Sequence, residues 1–303
     1  MKIKNPIVIA GPTGCGKSHI ALMIAKKLDG EIVCADSRQL YENMCIATAA
    51  PTKLELRQVK HYGYNVVPLY EKFNAVKFVK LCDSNILDIK NKGKLPILVG
   101  GSGLYLRFFR YGFSNIPGVN QKIREKLKII LKEKGVNFLY KYLCEIDIDI
   151  ASKIYSNDSV RIIRALEIYK LTNKKPSIFV QNNNNQNIRI NAFWFLCWPD
   201  RFILENKLLN RIEQMFDYGL IKEAIKLRKS LPENHYLLYT IGYKEALLFY
   251  DKKITLQEAK ERIFFRHRKY AKRQYTWFKK EKWWKKIDPF SVNIVNDIIK
   301  MIL

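Results

Sequence analysis

Early in the chain the apolar residues fall in short unbroken runs. Ile7-Val8-Ile9-Ala10 stops at Gly11, Glu31-Ile32-Val33-Cys34-Ala35 at Asp36-Ser37, and Pro96-Ile97-Leu98-Val99 at Gly100-Gly101. Between these runs the spacing changes to three or four residues, from His19 to Leu28 and from Ala75 to Ile89, where Val76, Val79, Asp83, Ile86 and Ile89 recur. Short buried strands alternating with helices predict a parallel sheet, with ligands held at the carboxyl ends of the strands. The strand pattern vanishes from about Pro117 to Thr172, where helices are expected over Gln121 to Lys134 and Asn157 to Leu171. It resumes at Phe193-Trp194-Phe195-Leu196, before helical stretches from Arg201 to Lys229 and from Leu256 to Lys280. The polar run Gln181 to Asn187 reads as a surface loop.

The run ending at Ala10 leads into Gly11-Pro12-Thr13-Gly14-Cys15-Gly16-Lys17-Ser18, and a helical pattern follows. In that context the motif is a phosphate-binding loop: its glycines let backbone N–H groups turn around phosphate oxygens, Lys17 adds a full charge, and the Ser18 hydroxyl is placed for Mg²⁺. The expected fold is therefore α/β, a P-loop parallel sheet flanked by helices with an inserted all-helical subdomain. The core would comprise residues 1–114 and 191–303, and the insertion residues 115–190. A nucleoside triphosphatase would also need an acidic residue at a strand end to hold its metal. The Pro96–Val99 run ends in glycines instead, and the strand-end acid is Asp36, which suits either a general base or a group that orients a metal-bound water.

Composition adds a partner. In 303 residues, 54 Lys and Arg stand against 28 Asp and Glu, a formal charge of +26. This predicts a polyanionic ligand, with a lysine-rich bias or an acidic membrane surface as alternatives. No apolar run is long enough to span a bilayer, and Met1 to Pro6 reads as the approach to a strand rather than as a targeting segment. Six scattered cysteines without metal-ligand spacing read as the free thiols of a reducing cytoplasm. His61, His235 and His267 read as structural.

The charge concentrates between Arg262 and Lys286, read here as one helix with eleven Lys or Arg residues among eight aromatic ones. Ile263, His267, Tyr270, Gln274 and Trp277 form one stripe; Arg266, Arg273 and Lys280 form another, offset within the segment by Glu281 alone. The first stripe suits packing on the sheet, and the second suits an RNA backbone. Arg161 and Arg164, after a cap at Asn157-Asp158-Ser159, form a second basic edge.

Taken in order, GPTGCGKS, ADSRQLYENM with Thr48 and Pro51, LPILVGGSGLYL, NDSVRIIRALEIY, RIEQMFDYGLIKEA, IGYKEAL and RKYAKRQYTWFKKE resemble the bacterial tRNA dimethylallyltransferases, also called tRNA isopentenyltransferases, over residues 7–281. The resemblance implies transfer of a dimethylallyl group from dimethylallyl diphosphate to N6 of adenosine 37, beside the tRNA anticodon, with Mg²⁺. It implies that Gly11, Pro12, Thr13, Gly14, Cys15, Gly16, Lys17 and Ser18 hold the donor diphosphate, and that Asp36 takes the N6 proton. Ser18 and Arg211 would assist the departing diphosphate, and Ser18 would also bind the metal. Asp36, Ser37, Arg38 and Gln39 would receive the flipped adenine. Ser102, Arg124, Val160, Arg161, Ile162, Ile163, Arg164, Ile241, Gly242, Tyr243, Lys244, Arg266 and Arg273 would contact the anticodon stem-loop. A monomer is expected because one tRNA already needs both basic regions, and a cytoplasmic one because the cysteines read as free thiols. Where the family commonly has D-I-G-T-A-K-P, this chain has Cys45-Ile46-Ala47-Thr48-Ala49-Ala50-Pro51, without the acid, the glycine and the lysine. A kinase-like nucleotide enzyme and a basic RNA-binding protein with a relic loop are the competing classes.

Overall fold

The computed structural model describes residue 3 and residues 5–113, 116–181 and 187–303. The described strands are β1 (Ile7–Ala10), β2 (Gly30–Cys34), β3 (His61–Tyr62), β4 (Leu95–Gly100), β5 (Phe193–Cys197) and β6 (Lys285–Ile287). All pairings are parallel, in the order β3-β2-β4-β1-β5-β6. Strands β1, β2 and β4 are buried throughout, which is why their sequences run apolar without alternating.

The α-helices are α1 (Lys17–Lys27), α2 (Lys53–Gln58), α3 (Ala75–Asn91), α4 (Gly103–Tyr111), α5 (Gln121–Ile146), α6 (Ile148–Ala151), α7 (Ser159–Thr172), α8 (Pro176–Gln181), α9 (Arg201–Asp217), α10 (Leu220–Ser230), α11 (Tyr243–Tyr250), α12 (Leu256–Lys279) and α13 (Ile294–Lys300). Their ends follow local chemistry. Asn74 caps α3 by accepting from the amides of Val76 and Lys77, and Thr255 with Glu258 closes a capping box on α12.

The chain divides into two compact units, Met1–Arg110 with Ile190–Leu303, and Tyr111–Arg189. The first holds the whole sheet; the second is helical, with a core of Leu127, Leu139, Leu143, Ile162, Ile163 and Leu166. The first boundary comes earlier than residue 114 because α4 carries the chain to Tyr111. The Asn-rich run lies largely outside the described residues.

Three expectations change. The helix through Arg201 to Lys229 breaks at Gly219, whose φ of 94° starts α10 afresh. Within α5, Gly135 adopts φ 78° and ψ 170°, so the turn after Lys134 is a kink between two helical stretches. The basic segment to Lys286 is not one helix: α12 stops at Lys279, and Trp283 and Trp284 fold back to Trp194, with ring centroids 6.3 and 5.4 Å apart. Burying these rings outweighs continuing the helix, and it places Lys285–Ile287 on the sheet as β6.

Gly100 shows how closely β4 meets β2: a Cβ there would stand 1.9 Å from the Ala35 carbonyl oxygen. Gly100→Ala is expected to destabilise the protein by about 2–3 kcal/mol, read from denaturant midpoints. Gly118→Ala, with nothing within 4 Å, is expected to leave the midpoint within about 0.5 kcal/mol of wild type.

Candidate active site

A cavity of about 430 Å³ opens at the carboxyl edge of the sheet. Thr13, Gly14, Gly16, Lys17 and Ser18 line one side; Asp36, Ser37, Arg38 and Gln39, following β2, line another; Arg211 and, from α12, Tyr270, Arg273 and Gln274 are among the rest of the wall. The phosphate loop turns through Gly14 and Gly16, at φ 82° and 81°, a left-handed conformation that other residues adopt only with strain. Lys17 Nζ donates to the Pro12 carbonyl at 3.2 Å, which folds the ammonium back over the loop. Gly11, Pro12 and Cys15 are buried and do not line the cavity, so their part is to shape the loop from beneath. Gly11 is required there because a Cβ would come within 2.7 Å of Cys15 Sγ and 2.8 Å of Cys197 Cβ. The six cysteines are free thiols, as expected. Burial acts to raise the Cys15 pKa, but the Cys197 side chain and the Lys17 charge outweigh it and bring Cys15 down to about 7.

Asp36 stands one residue beyond β2 and Ala35. Its Oδ1 accepts the Arg38 amide at 2.9 Å, while the Ser37 amide donates to Ser102 Oγ at 2.9 Å. Ser102 therefore ties the β2 turn to the glycine turn after β4. Arg38 places its guanidinium 5.3 Å from the Tyr236 ring centroid. Gln39 Nε2 donates to the Thr48 and Ala49 carbonyls at 2.9 and 2.7 Å, which joins the two halves of the acceptor-side wall.

Arg211, on α9, spans both sides of the cavity. Its Nη1 donates to Thr13 Oγ1 at 3.0 Å and its Nη2 to the Ala47 carbonyl at 3.2 Å, while Nε is buried without a partner among the described residues. Burial lowers its pKa and the charge of Asp36 opposes that shift, an electrostatic link between the two residues. Gln274 accepts the Thr13 amide at 2.9 Å and donates to the Gly101 carbonyl at 3.0 Å. One loop amide is therefore directed to Gln274 rather than into the cavity. His267, about two turns earlier on the same stripe, is buried; loss of water and then the Arg211 charge drive its pKa down to about 3.

These features match a family. A model described as IPP transferase covers residues 39–281, most of the chain. The chain belongs to the IPP transferase family. It is 38% identical over 296 residues to a tRNA dimethylallyltransferase of Sulfurihydrogenibium sp. (strain YO3AOP1), covering 97% of this chain and 95% of that one. Against the tRNA dimethylallyltransferase of Rickettsia felis it is 38% identical over 283 residues, covering 93% and 92%. Among solved structures, the tRNA isopentenylpyrophosphate transferase of Bacillus halodurans superposes with a TM-score of 0.70 at 32% identity, covering 99% of this chain and 94% of that one. A eukaryotic dimethylallyltransferase described as acting on tRNA gives 0.77 at 30% identity, covering 98% and 80%.

Within that family frame, several residues expected at the RNA do something else in the fold. Ile162 and Ile163 are buried in the core of the helical unit, and only Val160 and Arg161 of that helix start are exposed. Arg124 Nη2 and Arg164 Nη1 reach Glu167 Oε2 at 2.8 and 2.7 Å, and Arg164 Nη2 reaches the Pro117 carbonyl at 2.6 Å. Burial alone would raise the Glu167 pKa; the bonds from Arg164, the Asn120 amide and Arg124 hold it down. Tyr243 is fully buried, with its hydroxyl on Glu223 at 2.7 Å, and Gly242 is buried beside it, whereas Ile241 lines the cavity and Lys244 is exposed.

The basic segment draws on carboxylates from outside it, while its own Glu281 is engaged elsewhere. Arg266 pairs with Glu245 and donates to the Tyr239 carbonyl, Arg268 pairs with Glu205, and Glu281 serves Arg107. Arg266 and Arg273 both line the cavity. Gln274 and His267 line it too, and the signal for them was available: two polar residues on a helical stripe otherwise suited to the core.

The sign of the His267 effect follows from its lowered pKa. Above its ordinary value of 6.5 the folded and unfolded chains are both neutral there; below it only the unfolded chain takes up the proton. Stability is therefore expected to fall as pH drops from 6.5, by up to about 1.4 kcal/mol per pH unit. His267→Gln is expected to lose less between pH 6.5 and 5 in denaturant titrations, and equal slopes would refute the assignment. Separately, Arg164→Ala leaves Glu167 buried beside one arginine instead of two. It is expected to destabilise the protein by about 3 kcal/mol, read from denaturant unfolding followed by circular dichroism.

Proposed function

We propose that this chain transfers the dimethylallyl group of dimethylallyl diphosphate to N6 of adenosine 37 in tRNA, with release of diphosphate. The observation that carries this reading is that Asp36 shares one cavity with the phosphate loop and Arg211. The donor's C1–O bond breaks and its electron pair leaves with the diphosphate; N6 bonds to C1 and gives its proton to the Asp36 carboxylate. An adenine amino group is a weak nucleophile because its lone pair is delocalised into the ring, so a base at N6 helps as the new bond forms. Lys17, the loop amides and Arg211 face the charge that grows on the diphosphate.

Mg²⁺ fits the same place. It takes few protein oxygens when phosphates supply the rest, and Ser18, which ends the loop, lines the cavity. Bound there with the donor, it would supply charge stabilisation for the leaving group. No cluster of three or more His, Cys, Asp or Glu residues stands ready for a metal among the described residues, in keeping with a metal held mainly by the diphosphate.

The adenine must leave the anticodon-loop stack to enter the cavity, and exposed cations outside it supply the grip on the RNA backbone. Arg161, 60% exposed and paired with Asp158 at 3.4 Å, suits that role better than Arg164. No helix among the described residues is long and apolar enough to cross a membrane. One bound tRNA engages a single chain in this reading, and the cytoplasm is where it would act.

The rival nucleotide-hydrolysing reading is disfavoured by β4, which ends in Gly100 with no metal-holding acid. Radiolabelled dimethylallyl diphosphate with Mg²⁺ is expected to label an anticodon stem-loop carrying A36-A37-A38. ATP consumption without labelling would refute the transferase reading. Asp36→Ala is expected to lower turnover by roughly 10²-fold or more with donor binding little changed. Arg161→Glu is expected to flatten the salt dependence of stem-loop affinity, by a slope of about 1 to 2 in log-log form. An unchanged slope would return Arg161 to an ordinary solvated surface.

A further inference from the structure

Glu223 and Tyr243 lie outside the cavity lining, on α10 and α11. Glu223 nevertheless gathers an unusual set of donors. Its Oε2 accepts the Cys45 amide at 3.0 Å and the Ile46 amide at 3.0 Å. Its Oε1 accepts the Ile46 amide at 2.9 Å, the Ala47 amide at 3.2 Å and the Tyr243 hydroxyl at 2.7 Å. Three successive amides around one carboxylate make a concave anion site, filled here by the protein's own side chain. Burial, then the Glu223 charge and hydrogen bond, raise the Tyr243 pKa, so that hydroxyl stays a donor.

The same turn directs its carbonyls to functional groups. Ala47 O accepts Arg211 Nη2, and Thr48 O and Ala49 O accept Gln39 Nε2. With its amides pinned by Glu223, the turn offers Arg211 a fixed acceptor, and Thr13 Oγ1 fixes the other arm of the guanidinium. An arginine held in advance of the reaction stabilises a developing charge without reorganising first. The turn includes Cys45 and Ala47, where the family pattern commonly has an acid and a glycine. Ala47 keeps an ordinary negative φ, so the backbone there does not need glycine.

We infer that Glu223, buttressed by Tyr243, is a positioning residue for this reaction that acts through Arg211. The inference rests on the transferase reading given above. Its test is a double-mutant cycle with Arg211→Ala and Glu223→Gln, reading kcat/KM for prenyl transfer and, separately, the affinity for inorganic diphosphate with Mg²⁺ by calorimetry. Glu223→Gln keeps the volume and removes the charge that three amides and a hydroxyl share. Each single variant is expected to lower kcat/KM by roughly 10-fold or more, and the double variant to fall little below Arg211→Ala alone. Thermal midpoints of the two changes should add instead, because folding senses them separately. Tyr243→Phe, which removes one donor of four, is expected to fold normally and lose roughly 2- to 5-fold. Multiplicative losses in the double variant, or full kcat/KM in both Glu223→Gln and Tyr243→Phe, would overturn the inference. A wild type that binds diphosphate but transfers no prenyl group would refute the transferase reading alone; the diphosphate cycle would still decide whether Glu223 acts through Arg211.

Discussion

The carboxamide of Gln274 holds the two glycine turns of this protein together. Buried on α12, it accepts from Thr13 in the phosphate loop and donates to Gly101 after β4. The close approach leaves no room for a larger residue: a Cβ on Gly101 would stand 2.3 Å from Gln274 Nε2, and one on Gly103 would stand 2.1 Å from Trp277. A neutral side chain with both a donor and an acceptor satisfies both backbone groups without burying a charge. Because Ser102 in that glycine turn also holds the Ser37 amide, the donor loop and the turn bearing Asp36 are referred to one rigid frame.

The second constraint is the placement of positive charge. A chain with a formal charge of +26 must keep its cations from repelling one another. Carboxylates take up several of them: Glu167 serves Arg124 and Arg164, Glu245 serves Arg266, Glu205 serves Arg201 and Arg268, and Glu281 serves Arg107. Arg211 faces the cavity between two neutral oxygen acceptors, with Asp36 the charge that offsets its burial. The cations left on the cavity wall can then answer to an anionic ligand, in contrast with those committed to the fold.

Much of the sheet was legible in the chain because buried parallel strands leave unbroken apolar runs, as at Ile7–Ala10 and Leu95–Gly100. β3 and β6 were not, being two and three residues long, and Lys285 and Lys286 of β6 are exposed at the sheet edge. The phosphate loop, Asp36 and Arg211 were placed correctly as neighbours, the first two from strand ends and Arg211 through family resemblance. The buried roles of Ile162, Ile163 and Tyr243 were not readable from the motifs that contain them, since a motif records which residues occur together and not which face each presents. The structural bonds of Arg164 were hidden for a related reason: its partners Glu167 and the Pro117 carbonyl come together only when the helical unit packs.

In the proposed reaction one cavity holds the departing diphosphate in the phosphate loop and the accepting amino group at Asp36. A crystal structure with a non-cleavable thiolo analogue of dimethylallyl diphosphate and an anticodon stem-loop tests it directly. The diphosphate is expected within the loop formed by Gly14 to Ser18, with Arg211 beside it, and N6 of a flipped adenine within about 3 Å of the Asp36 carboxylate. A diphosphate bound outside that loop, or an adenine whose N6 lies beyond hydrogen-bond reach of Asp36, would contradict it.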